Sequence, residues 1–224
     1  MQRSEMTEEE RLGVYINSLD RENPGWLEEL EACTIREGVP LIRRQTQSLL
    51  RVLLAIRQPA RILEIGTGTG FSALFMSEYA PKGAHITTIE KYEKRIPRAK
   101  ENFHKSGRTG RITLLEGDAA DILPQLSGSF DFVFMDGAKG QYIHFLPDVL
   151  RLLEEGGILV SDNVLQEGDI VQSRFAVTRR NRTIHARMRE YLYELKHNAA
   201  LETVILSLGD GTAVSVKRRP QEQG

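Results

Sequence analysis

The chain holds one cysteine, Cys33, among 224 residues. A single thiol excludes an intrachain disulfide framework and fits a reducing compartment. Long apolar runs are missing too. Nothing approaches the roughly 18 residues of a transmembrane helix. The first residues, MQRSEMTEEERLG, are charged and contain no apolar stretch of the kind a secretory signal needs. The expected location is therefore the cytoplasm, with no membrane partner. Charge of one sign is not in excess either: the formal net charge is −1. No global positive field announces a nucleic acid, although local charge can still do so. A Cys/His cluster with zinc spacing, an internal repeat and a low-complexity segment are all absent.

What is present is an ordinary globular balance, 40% hydrophobic and 27% charged. The length favours one α/β domain, residues 1–219. Residues 1–57 form an N-terminal helical segment and 58–219 the α/β core; 220–224 is expected to be a flexible tail. Helical periodicity covers 7–35, broken by Asn23-Pro24-Gly25, and resumes from Ile42 to Ile56. Strands and helices then alternate. RILEIG (61–66), HITTIE (85–90), RITLLEGD (111–118), FDFVFMD (130–136) and GILVSD (157–162) read as strands. Helices follow at 71–79, 91–104 across Pro97, a short one ending near Leu126, and 142–153. Near-continuous apolar strands with helical crossovers predict a mostly parallel sheet covered on both faces. The tail predicts a helix over 184–196. LETVILSL and TAVSVKR then flank Gly209-Asp210-Gly211 as an antiparallel hairpin. The expected fold is α/β and Rossmann-like.

ILEIGTGTGFSALFM places Gly66, Gly68 and Gly70 between a strand and a helix, where glycine permits a tight turn and close backbone approach to a ligand. The pattern alone also suits an ordinary strand-to-helix turn. Three acids strengthen the ligand interpretation. Glu64 lies late in the first strand, Glu90 ends the second about twenty residues beyond the glycines, and Asp118 ends the third. All fall on the sheet edge where open α/β folds bind ligands. GTGTGFS is not a clean dinucleotide fingerprint and no phosphate anchor is evident. A carboxylate-rich site suits S-adenosylmethionine, which is cationic and free of phosphate, better than NAD.

A second constellation occupies the same edge. FDFVFMD ends in Asp136, and GILVSDN ends in Asp162 and Asn163. Two carboxylates and an amide oxygen are hard ligands suited to Mg²⁺, with Mn²⁺ or Ca²⁺ as alternatives. The same residues could instead cap helices or fix turns. Lys139 follows Asp136 by three positions, within reach of that crevice, and could take a proton there; it could equally be a solvated loop lysine. Tyr142 either positions Lys139 or packs on its helix.

Taken in order, ILEIGTGTGFSALFM, HITTIE, EGDA, FDFVFMDGAKGQY and GGILVSDNVL resemble the divalent-cation-dependent O-methyltransferases, a family that includes catechol and caffeoyl-coenzyme A O-methyltransferases. The resemblance covers roughly 40–217. The compact size and the segment EGVPLIRRQTQSLLRVLL are most similar to the bacterial branch that converts tRNA wobble 5-hydroxyuridine to 5-methoxyuridine. The resemblance implies that Glu64, Gly66, Thr67, Gly68 and Gly70, with Phe71 and Ser72 opening the helix, hold the amino acid end of S-adenosylmethionine. Glu90 is implied to accept the ribose hydroxyls, and Asp118 and Ala119 to lie near the adenine. Asp136, also beside the cofactor, joins Asp162 and Asn163 as a metal ligand. Lys139 and Asp136 are the implied catalytic pair. A homodimer is implied as well.

The acceptor stays open between chemistries with two adjacent oxygens. Catechol has them, and so does 5-hydroxyuracil, in its 5-hydroxyl and 4-carbonyl. Between Arg174 and Lys196 seven basic side chains face only Glu190 and Glu194. Arg174, Arg179, Arg180 and Arg182, with Arg43 and Arg44, are the candidate contacts to a tRNA anticodon loop. That ranks tRNA first, a small phenolic or coenzyme A-linked substrate second, and a noncatalytic cofactor- or RNA-binding module third. A solvated helix face explains the same arginines without any ligand.

Overall fold

The computed structural model describes residues 7–173 and 175–219. The expected tail at 220–224 lies outside the described residues, as does Arg174. Three helices come first: α1 (Glu8–Ser18), α2 (Gly25–Arg36) and α3 (Arg44–Arg57). Five strands alternate with helices after them: β1 (Arg61–Ile65), α4 (Phe71–Tyr79), β2 (His85–Glu90), α5 (Ile96–Lys105), β3 (Ile112–Glu116), α6 (Ala119–Ile122), β4 (Phe130–Met135), α7 (Tyr142–Leu152) and β5 (Leu153–Asp162). The chain closes with α8 (Arg182–His197), β6 (Leu201–Leu206) and β7 (Thr212–Lys217).

The sheet has seven strands in the order β3-β2-β1-β4-β5-β7-β6. β1 to β5 pair in parallel, while β7 runs antiparallel to both β5 and β6. The period-2 alternation of each strand sorts its side chains into two cores. On one face Leu63, Val133, Met135 and Leu159 meet Phe145 and Val149 of α7 and Met188 and Tyr191 of α8. On the other, Ile62, Phe132, Phe134 and Val160 meet Leu50 and Leu54 of α3, Phe71 and Phe75 of α4 and Phe103 of α5. Each fully buried Leu, Ile or Phe contributes about 1.5–3 kcal/mol. Both faces are covered, which is why these strands read as apolar runs.

Two boundaries differ from the sequence expectation by four residues or more. The helix expected from Lys91 begins at Ile96, because Pro97 falls in its first turn, where a missing N–H costs nothing. Residues 92–95 form a turn instead, closed by Arg95 N donating to Tyr92 O at 2.8 Å. β5 begins four residues early, at Leu153. Its pairing with β4 shifts register between Phe130 and Phe132, absorbing Gly156 at φ 74°.

Candidate active site

The carboxyl ends of β1, β2, β3 and β4 open into a cavity of about 650 Å³. Its floor is the loop between β1 and α4. Gly66 N and Thr67 N both donate to Ile89 O, at 3.0 and 3.2 Å, so the loop is pinned to β2. Gly66 sits at φ 103°, and a Cβ there would collide with the Asp136 carbonyl; only glycine lets the loop cross the end of β4. Gly68, at φ 56°, has open space where a Cβ would stand and faces the cavity. Gly70 does not line the cavity: its missing Cβ makes room for the ring of Phe103.

Glu90 holds the loop from the end of β2. Its two carboxylate oxygens accept from Gly68 N and from Tyr92 N, both at 2.8 Å. The residue is buried yet lines the cavity. Glu64 behaves differently from its expected position. It is fully buried and absent from the cavity wall, and it accepts from the Ser72 and Thr88 hydroxyls. Burial, opposed by those two hydrogen bonds, pushes its carboxyl up to about 8, with Asp136 and Glu90 adding to the rise. Thr67 continues the chain through a 2.6 Å contact to the Thr88 hydroxyl. Glu64 thus underpins the loop, while Thr67, Phe71 and Ser72 present the surface above it. Asp118 and Ala119 reach the wall at the end of β3. Asp118 caps α6 at Ala120 N (3.0 Å) and pairs with Lys91 (3.1 Å), which together hold its carboxyl below the usual range.

Asp136 follows β4 and is half-buried at the cavity wall. Its backbone N donates to Ile65 O at 3.0 Å and its Oδ1 accepts from Asn163 Nδ2 at 2.8 Å. Burial first, then the neighbouring Asp162, push its carboxyl up to about 6; Asn163, Lys139 and Arg95 oppose this. Asp162 ends β5 at 3% exposure and is also raised, chiefly by burial. Its Oδ1 accepts from Thr212 Oγ1 on β7 at 2.9 Å, with a longer 3.4 Å contact to Thr46 Oγ1 on α3. Asn163 sits at φ 59°, a conformation asparagine tolerates better than most residues. Lys139 lines the cavity with its Nζ 3.9 Å from Asp210 Oδ2, and Arg43 approaches the other oxygen of Asp210 at 3.9 Å. The turn carrying Asp210 is bonded to the residues after Asn163: Val164 N donates to Gly211 O and Leu165 N to Asp210 O, each at 2.9 Å.

Two carboxylates, the buried Asp162 and the half-buried Asp136 that it raises, with an amide beside them, fit a hard divalent cation in the chemistry of their donors. Asn163 presents its N–H to Asp136, so ligation through its oxygen requires the amide to turn over. Among the described residues no group of three or more His, Cys, Asp or Glu has metal-binding geometry; the candidate set contains two such residues and an amide.

Sequence reasoning singled out Tyr142 without its partners and did not find several other participants. The Tyr142 hydroxyl is fully buried between strand ends, accepting from Gly137 N (3.2 Å) and lying 3.0 Å from Met135 O and 3.3 Å from Asp162 O. It joins β4 to β5 and makes no contact with Lys139 among its hydrogen bonds. Arg95 and Tyr92 line the cavity and stack at 5.4 Å. Thr46 and Thr212 lie 116 and 50 positions from Asp162, beyond any spacing rule. Of the basic candidates, Arg44 is committed to Glu28 and Glu31 on α2. Arg182 bonds the Val177 and Phe175 carbonyls at 3.3 and 3.5 Å. Arg179 and Arg180 are exposed.

This sheet order, with a glycine loop under an acid-lined cavity, is a class I methyltransferase fold. The chain belongs to the O-methyltransferase family, whose sequence profile matches residues 17–218. A catechol O-methyltransferase from Niastella koreensis is 35% identical over 126 residues, 54% of this chain and 57% of that protein. One from Mycobacterium tuberculosis is 33% identical over 131 residues, 58% of this chain and 60% of that protein. The alignments thus span less than two thirds of these curated relatives. An SAH-bound Podospora anserina methyltransferase superposes with a TM-score of 0.84 at 27% identity, covering 98% of this chain and 100% of that one. No helix among the described residues is long and apolar enough to cross a membrane.

Proposed function

We propose that this protein transfers a methyl group from S-adenosylmethionine to one of two adjacent oxygens on a planar ring, with small catechol- or caffeoyl-like phenols as acceptors. One observation carries the proposal. The loop clamped by Glu90 and the carboxylates of Asp136 and Asp162 meet at one end of the sheet, with Lys139 beside them. The named activity of the two curated relatives supports the phenolic acceptor.

Gly68 lets the cofactor approach the backbone, Glu90 accepts its ribose hydroxyls, and Asp118 and Ala119 border its adenine. Thr67 and Ser72, carried by Glu64, face its amino acid end. Asp136, Asp162 and Asn163 hold Mg²⁺, or Mn²⁺ or Ca²⁺ in its place. When bound, the cation supplies a Lewis acid that lowers the pKa of the acceptor hydroxyl and orients it. Lys139 receives or steers the released proton, with Asp210 nearby to balance its charge. Burial of Asp162 strengthens its share of these interactions. A homodimer belongs to the same proposal, supported by the exposed Leu12, Tyr15, Ile16 and Leu19 of α1 and the residue that follows it.

A second acceptor, 5-hydroxyuridine in a tRNA anticodon loop, is favoured by Arg179 and Arg180. They are exposed and have no ion-pair partner among the described residues. The test is methyl transfer from labelled S-adenosylmethionine with Mg²⁺, offered catechols and caffeoyl thioesters in one arm and tRNA carrying 5-hydroxyuridine in the other. EDTA and Asp162→Ala are controls. Transfer to phenols, lost in both controls, is the expected result. Transfer only to tRNA replaces the acceptor, and activity that survives both controls removes the metal site.

A further inference from the structure

His185 has no place in the chemistry above, and it is conspicuously unsatisfied. It lies in the first turn of α8 at 2% exposure, and neither ring nitrogen has a hydrogen-bond partner among the described residues. Buried polar groups are overwhelmingly paired, because leaving a donor unpaired away from water is costly. His185 borders a separate groove of about 590 Å³, walled also by Val171, Gln172, Ser173, Ala186 and Arg189. None of these residues lines the catalytic cavity.

The donors here share one preference. His185 offers a ring N–H, Arg189 a guanidinium, Gln172 an amide and Ser173 a hydroxyl, and no carboxylate is among the described residues of the wall. Arg189 is fixed by a 2.9 Å hydrogen bond to Ile170 O, which uses only one terminal nitrogen. The groove runs beside the first two turns of α8, against His185, Ala186 and Arg189. We infer that this groove binds a phosphate group, held between His185 and Arg189. A phosphomonoester on a small molecule and a phosphodiester of RNA present the same chemistry.

The test is a titration of the full chain with inorganic phosphate, followed by nuclear magnetic resonance of histidine-labelled protein. The His185 ring signal is assigned with His185→Gln. A saturable shift of that signal is expected, with affinity weakened at least about tenfold in Arg189→Ala. Arg189→Ala alters a surface side chain and keeps the test independent of any folding defect at His185. Displacement of phosphate by glycerol phosphate identifies a small ester as the source, and displacement by a short single-stranded RNA identifies the backbone. An unshifted His185 signal, or an equal response in Arg189→Ala, overturns the proposal. The readout is binding, so it stands whether or not methyl transfer is observed.

Discussion

Replacing Glu90 with glutamine separates two things that one carboxylate does. Both of its oxygens accept backbone N–H bonds, from Gly68 and Tyr92 at 2.8 Å each. Hydrogen bonds to a charged group contribute about 1.5–3 kcal/mol apiece. In Glu90→Gln the side-chain amide would keep one acceptor. Its nitrogen would meet the second backbone N–H, leaving two donors facing each other in a buried place. The expected cost is about 2–4 kcal/mol, which for a chain of this size lowers the melting temperature by roughly 5–15 °C. If the loop and the ribose contact both depend on Glu90, S-adenosylhomocysteine binding weakens by about 30-fold or more, read by calorimetry. Melting unchanged within about 1 °C would refute the clamp. A clear loss of stability with affinity held within about twofold would refute the ribose contact while sparing the clamp.

Other outcomes follow from the same geometry. Thr212→Val removes the 2.9 Å restraint on Asp162 and should raise the Mg²⁺ concentration for half-maximal activity by about tenfold, measured by metal titration of turnover. The Glu64 carboxyl rises from 4.5 to about 8 in the folded chain. The native state therefore keeps a proton that the unfolded state releases. This contribution to stability is complete below about pH 4.5 and is lost as pH rises towards about 8. Urea midpoints at pH 5.5 and 8 should diverge more for the wild type than for Glu64→Gln; equal divergence would remove Glu64 as the cause. Arg44→Ala should lower the urea midpoint by breaking its pairs with Glu28 and Glu31, whereas Arg179→Ala with Arg180→Ala should leave the midpoint alone. A double variant at Arg179 and Arg180 that melts early would place those arginines in the fold rather than at an acceptor.

The sheet was legible because its strands are apolar runs ended by glycine or acid, and Asp136, Asp162 and Asn163 could be placed by strand ends alone. Direction and partners were not legible. Glu64 lies one residue from the end of β1, but period-2 alternation points it with Ile62 towards α4, where Ser72 and Thr88 capture it. Gly70 belongs to the same motif as Gly66, yet its φ 85° and missing Cβ serve the ring of Phe103, a residue 33 positions away. Arg44 read as surface charge because Glu28 and Glu31 meet it only after the turn between α2 and α3 is made. Thr46 and Thr212 carry no motif at all and reach Asp162 only through the tertiary fold.

The late position of Thr212 and Asp210 implies an order of assembly. The loop that receives the cofactor is complete once β2 and β4 have joined β1, using residues up to Asp136. Asp162 then waits for Thr212, and Lys139 for Asp210, both beyond the last helix. A chain still emerging from the ribosome at residue 200 has all three proposed metal ligands and lacks Thr212 and Asp210. Cofactor binding would report an early stage of synthesis, and metal-dependent turnover would report that the C-terminal hairpin has been delivered and docked.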